Sequence, residues 1–223
     1  MKLVIFDCDG TLVDSQNMIA ASMEWAYGQE DLTWPGRAAT LSIIGLSIPQ
    51  AMEVLSPELP DDLRQRIGES YKVAFRHMRM DPSHHEPLFD GAGAVIGELA
   101  VRDDVLLGIA TGKSQRGVRA LLEREGWDGH FTTIQTADDA PSKPHPAMVL
   151  QAVGEAGVNM GDTVVIGDTS FDMAMARSAG AGAVGVSWGY HERDDLVEYG
   201  AHEVIDRFHD LPGVLHMLWE QGW

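Results

Sequence analysis

The chain has 223 residues, 44% of them hydrophobic, and a formal net charge of −18. That length builds one large or two small domains around a sizeable core. The acidity argues against nucleic-acid and anionic-membrane partners, and no run approaches the ~20 apolar residues of a membrane span. A single cysteine, Cys8, excludes an internal disulfide framework. With no secretion-signal pattern at the N-terminus, it points to a cytoplasmic protein. The aspartate doublets 61–62, 103–104, 138–139 and 194–195 read as solvated turns and helix starts.

Leu3-Val4-Ile5-Phe6 is a short apolar run that reads as a strand buried on both faces. It leads into Asp7-Cys8-Asp9-Gly10-Thr11. From Ser15 the period becomes helical, with Met18, Ile19, Ser22, Trp25 and Ala26 on one face. Trp34-Pro35-Gly36 breaks it. Short helices are predicted over 38–44 and 50–55. A long amphipathic helix is predicted over 61–80, with Leu63, Ile67, Tyr71, Ala74, Phe75 and Met78 inward and Asp61 or Asp62 as its cap. This all-helical block, about 15–83, interrupts an otherwise α/β chain. After it, strands are expected at 105–110, 132–136, 163–166, 182–186 and 203–205. Helices are expected at 92–101, 114–125, 146–155, 171–178, 194–199 and 211–219. The Gly91–Gly97 stretch reads as a turn entering a helix. Such alternation predicts a doubly wound, mainly parallel sheet. The expected units are 1–14 with 84–223 as an α/β core and 15–83 as a helical insertion.

Strand alternation puts Asp7 and Asp9 on one side, at the strand end where open α/β sheets bind ligands. Two carboxylates this close repel unless a cation or a shared proton relieves them, so they form a metal site, an acid/base pair, or both. Thr111, in Ile109-Ala110-Thr111-Gly112-Lys113-Ser114, follows another apolar strand. Its hydroxyl and the next backbone N–H groups suit a phosphate, although a Ser or Thr before a helix is commonly only a cap. Lys143 is fixed between Ser142 and Pro144-His145-Pro146. Val165-Ile166-Gly167-Asp168 ends a fourth strand in an acid, with Asp172 one helical turn on. Cys8 lacks the arginine a cysteine phosphatase needs, because Asp14 stands there, and it reads as a buried strand residue. His84-His85 reads as solvated.

These four stretches, in this order, resemble the motifs of the haloacid dehalogenase-like superfamily: D-x-D-G-T, a strand-end Thr, K-P-x-P and G-D-[ST]-x-x-D. The resemblance implies a Rossmann-like α/β core and phosphate transfer. It makes Asp7 the nucleophile forming an aspartyl-phosphate, and Asp9 the acid and then the base. Thr111 and Lys143 neutralise the phosphoryl oxygens, with Gly10, Thr11 and Gly112 around that group. It implies a Mg²⁺ ion on the carboxylates of Asp7 and Asp168 and the main-chain carbonyl of Asp9, with Asp172 behind them or acting through water. Dehalogenases of the superfamily lack an acid at the Asp9 place, so phosphate transfer is favoured. An acidic surface repels a phosphorylated substrate, so the cation and local Lys or Arg must reverse the field inside the site.

The roughly 70-residue helical insertion resembles the cap of the phosphoglycolate phosphatase and β-phosphoglucomutase branch, with Gly45 and Ser47 in its specificity loop. Mutase members place Lys and Arg where this chain has Ile44 and Ile48, which lowers that reading. Arg37, Arg76 and Arg79 are cap cations that either meet a substrate carboxylate or are solvated. Lys72 is the candidate for a phosphonate-cleaving relative's lysine, although it falls on the long helix. Trp188-Gly189-Tyr190 is expected to pack beneath the site. The resemblance thus implies a Mg²⁺-dependent phosphatase of a small phosphorylated metabolite, phosphoglycolate-like or a sugar phosphate, as monomer or homodimer. The alternatives are a β-phosphoglucomutase-like mutase, a pyrophosphatase or a phosphonatase.

Overall fold

The computed structural model describes residues 1–80 and 86–223. The expected boundary at 83/84 and the His84-His85 pair lie outside the described residues. Strand β1 (Lys2–Phe6) is followed by four helices: α1 (Gln16–Gly28), α2 (Arg37–Leu41), α3 (Ile48–Leu55) and α4 (Asp61–Met80). The chain then runs α5 (Ala92–Ala100), β2 (Val105–Thr111), α6 (Gln115–Glu125), β3 (Phe131–Thr136) and α7 (Ala147–Ala156). It finishes with β4 (Thr163–Gly167), α8 (Ser170–Ala179), β5 (Gly182–Val186), α9 (Arg193–Glu198), β6 (Glu203–Ile205) and α10 (Leu211–Gln221). Among the described residues no helix is long and apolar enough to cross a membrane.

The strands form one parallel sheet in the order β3-β2-β1-β4-β5-β6. Central β1 is buried on both faces, which is why its sequence is uniformly apolar rather than alternating. Val4, Phe6 and Cys8 face the core shared with α5, α6 and α10. Leu3 and Ile5 face the layer of α7 and α8. The register pairs Phe6 with Ile109 of β2 and Ile166 of β4, so all three strands end at one level. The chain order reverses between β1 and β4, opening a crevice where such sheets bind ligands.

Helices α1, α3 and α4 share a separate apolar cluster built on Ile19, Met23, Tyr27, Met52, Ile67 and Tyr71. Four local expectations change. Trp25 is 42% exposed, because Met23, Ala26 and Tyr27 fill the inner face of α1. Helix α2 stops at Leu41, and residues 42–47 form a turn that rises to Gly45 at φ +99°. Helix α3 starts two residues earlier than predicted, with Pro49 in its first turn, where a missing N–H costs nothing. Asp61 and Asp62 lie inside the first turn of α4 rather than capping it, and they pair with Arg64 and Arg66.

Candidate active site

Asp7, the first residue past β1, is 1% exposed, and its N–H donates to Ile166 O at 2.9 Å. Its Oδ2 has no hydrogen-bond partner. Lys143 Nζ, itself fully buried, stands 2.8 Å from Asp7 Oδ1 and 2.6 Å from Asp172 Oδ1 and bridges the two carboxylates. The other two acids are oriented. Asp168 Oδ1 accepts from Thr11 Oγ1 at 2.9 Å, and its Oδ2 accepts from Tyr190 N at 3.0 Å. Asp172 Oδ2 accepts from Thr169 N and Oγ1 in a capping box that starts α8.

Asp7, Asp168 and Asp172 each bring a carboxylate oxygen within 4.8 Å of the others. Three buried acids face one lysine, an excess of negative charge that raises the proton affinity of the group. Burial, opposed by Lys143 and reinforced by Asp172, pushes the Asp7 carboxyl from 3.8 up to about 6. Burial and then the Asp7 and Asp172 charges hold Asp168 well above the usual range. All-oxygen donors, some of them orphaned, suit a hard divalent cation such as Mg²⁺.

Asp9 belongs to a different constellation. Its Oδ1 lies 2.6 Å from Lys113 Nζ and accepts from Ser15 Oγ at 2.7 Å. Burial alone would raise the Asp9 carboxyl; the Lys113 ammonium and the Ser15 hydroxyl overcome it and hold it low. The Asp9 side chain therefore stands outside the three-acid cluster, which leaves only its main chain for the metal role. Lys113 also reaches Glu86 Oε1 at 3.0 Å, and Arg79 Nε lies 3.4 Å from Glu86 Oε2. The Phe75 ring sits against both cations, at 5.3 and 5.0 Å. Lys113 and Glu86 were not among the predicted site residues. The one sequence signal was that Lys113 is one of only four lysines and follows a strand-end Thr-Gly.

Thr111 ends β2, and its Oγ1 accepts from Lys113 N at 3.2 Å. The cap of α6 is Ser114, which takes Gly117 N at 3.3 Å, so Thr111 is not needed for capping. Gly10, at φ +91°, lies so close to Asp168 that a Cβ would overlap its carboxylate. Trp188 and Tyr190 do more than pack beneath the site. Trp188 Nε1 donates to Thr11 O at 3.1 Å, and Tyr190 Oη accepts from Ser15 N at 3.1 Å.

The 42–47 turn roofs this floor. A Cβ on Gly112 would stand 2.7 and 2.8 Å from the carbonyls of Gly45 and Leu46, and Ser47 N donates to Ser142 Oγ at 2.8 Å. Between roof and floor is a cavity of about 490 Å³, reached by Asp7, Asp9, Ser47, Thr111 and Lys113. Of the predicted cap cations, Arg76 and Arg79 line it. Arg37 does not, being held by Gln16 and Asn17, and Lys72 lines the rim while paired with Glu69. Cys8 is fully buried behind the site, and burial pushes its thiol far up.

The family model for haloacid dehalogenase-like hydrolases matches residues 4–186, from β1 through β5. The chain belongs to the haloacid dehalogenase-like hydrolase family. Its relatives include "Probable phosphatase IndB" of Dickeya dadantii (strain 3937), 33% identical over 97% of this chain and 94% of that one. "Phosphoglycolate phosphatase" of Rhodospirillum rubrum is 31% identical over 94% of this hydrolase and 89% of its own length. Among solved structures, a hydrolase from Pseudomonas syringae superposes with a TM-score of 0.86 at 27% identity, over 98% of this chain and 99% of that one.

Proposed function

We propose that this hydrolase is a Mg²⁺-dependent phosphatase of a small phosphorylated metabolite, working through an aspartyl-phosphate on Asp7. The observation that carries the reading is the Asp7 carboxylate. It is buried at the floor of the cavity with Oδ2 free of any partner and Oδ1 paired to a lysine that can hold the incoming phosphoryl group. A relative named phosphoglycolate phosphatase and another named a phosphatase support the class.

The metal would be held by the carboxylates of Asp7 and Asp168 and the Asp9 carbonyl, with Asp172 supporting them. When bound, Mg²⁺ supplies positive charge against the phosphoryl oxygens and the nucleophile. Asp7 Oδ attacks phosphorus in line, and the bond to the leaving oxygen breaks. Asp9 delivers a proton to that oxygen, then takes one from the water that attacks the aspartyl-phosphate, so inorganic phosphate leaves and Asp7 is restored. Lys143 and Thr111 stabilise charge on the equatorial oxygens. Lys113 holds Asp9 ionised, the form that serves as base. The acid step requires Asp9 to carry a proton, so substrate must loosen that ion pair. Residues 15–83 act as the cap that closes over the leaving group and excludes water.

The test is Mg²⁺-dependent release from p-nitrophenyl phosphate. Asp7→Asn should lower turnover about a thousandfold or more, the scale seen when a nucleophile is removed. Asp9→Asn should still release about one equivalent of nitrophenolate in a burst, because that leaving group needs no proton, and then stall for want of a base. Near-normal steady turnover by Asp7→Asn would refute the assignment. Isomerised product without net phosphate would move the protein to the mutases.

A further inference from the structure

The cavity is far larger and far less polar than a two-carbon leaving group requires. Its 490 Å³ lies in the range that encloses ring-sized ligands, ~300–1,000 Å³. The apolar lining comes from four separate places: Met23 on α1, Ile44 in the 42–47 turn, Ile48 at the start of α3, and Tyr71 and Phe75 on α4. The two rings stand 5.7 Å apart at 33°, a continuous aromatic surface. Two of the inner polar groups are already engaged: Lys113 is held by Asp9 and Glu86, and Ser47 Oγ donates to Gln50. Arg79 lies between Glu86 and the Phe75 ring. The remaining cations, Lys72, Arg76 and Arg116, are exposed at the rim, where they attract an anion toward a chain of net charge −18.

A polyhydroxylated leaving group placed here would bury hydroxyls against isoleucine and phenylalanine. Each unpaired one weakens binding by about fivefold or more. A compact carboxylate such as glycolate would leave most of the wall uncovered and would find its nearest inner cation committed to Asp9. An apolar body gains about 0.8 kcal/mol for each methylene it buries.

We infer that the preferred substrate is a phosphate monoester whose alcohol carries an apolar, ring-sized body that packs on Ile44, Ile48, Tyr71 and Phe75. The inference rests on the phosphatase reading above and adds the class of leaving group.

The experiment compares kcat/KM, with Mg²⁺, across the n-alkyl phosphates from ethyl to hexyl, with benzyl phosphate, phosphoglycolate and glucose 6-phosphate alongside. These alkyl alcohols are similarly poor leaving groups, so the series reads burial rather than chemistry. The expected rise is about two- to fourfold per methylene, 0.8 kcal/mol being close to a factor of four. Benzyl phosphate should exceed phosphoglycolate and glucose 6-phosphate at least tenfold. Phe75→Ala should flatten the alkyl series, and Ile44→Lys should move the ranking toward phosphoglycolate. A series that is flat or falls with length, or a preference for phosphoglycolate or glucose 6-phosphate, overturns the leaving-group class and leaves the phosphatase intact. Absence of phosphate release above the Asp7→Asn level from every ester overturns both.

Discussion

Lys113 and Lys143 are both buried, yet they answer to different acids. Lys143 bridges Asp7 and Asp172, whereas Lys113 bridges Asp9 and Glu86. The division keeps Asp7 and Asp9, the proposed nucleophile and proton carrier, from competing for one cation. It also makes Lys113 the one ion-pair partner of Asp9 among the described residues. Removing one partner of a buried pair costs about 3–5 kcal/mol, because the other charge is stranded. Lys113→Met should therefore lose stability on that scale in urea unfolding, and adding Glu86→Gln should restore part of it, a coupling that a double-mutant cycle measures. Additive losses would show that the two side chains act independently. Lys143 was legible in the sequence because prolines flank it and a helix follows. Lys113 was not, since its partners lie 104 and 27 residues away and only the folded chain brings them together. Asp9 shows the same limit. Its spacing from Asp7 suggested a shared cation or a shared proton, and the structure gives each acid its own lysine.

At the scale of elements, β1, β2 and β4 were readable because strands buried on both faces are nearly pure apolar runs. Their shared ends put Asp7, Thr111 and Asp168 around one crevice. Gly45 and Ser47 were read as loop, but the start of the 42–47 turn was not readable, since Leu41 to Ile44 is as apolar as a helix face. What bends it is Gly45 at φ +99° and its seat against Gly112 and Thr169. Trp25 was misplaced for a related reason: α1 is apolar on most sides, so periodicity alone does not choose the buried face. The turn's fit depends on Gly112, where a methyl would meet two backbone carbonyls inside 3 Å. Carbonyls of a packed turn cannot rotate away as a side chain can. Gly112→Ala should displace the roof, lowering kcat/KM about tenfold or more, because small misplacements of a positioning element are costly in rate. Its melting temperature should stay within a few degrees, because the contact is local. Unchanged kinetics would mean that the turn is free to move aside without consequence.

For the whole molecule, a net charge of −18 and a core of three buried carboxylates pull stability and function in opposite directions. With no cation bound, the fold must keep Asp7 in a place that disfavours its charge. The sign follows from its carboxyl being pushed from 3.8 to about 6, chiefly by burial. Between those values the folded chain holds a proton that the unfolded chain has released. The contribution of Asp7 to stability therefore falls as pH rises from 4 to 6, and its full cost, about 3 kcal/mol at most, is present at pH 7. Asp7→Asn removes that charge while Lys143 keeps Asp172 as partner. In excess chelator at pH 7.5 the inactive Asp7→Asn protein should resist urea better than the wild type, and the advantage should fade as pH is lowered from 6 toward 4. Millimolar Mg²⁺ should then stabilise the wild type by binding the folded state alone, and should do so more than it stabilises the variant, closing the gap. Wild type that outlasts Asp7→Asn in chelator at pH 7.5 would show that Lys143 by itself neutralises the cluster. The metal would then serve chemistry without relieving strain in the fold.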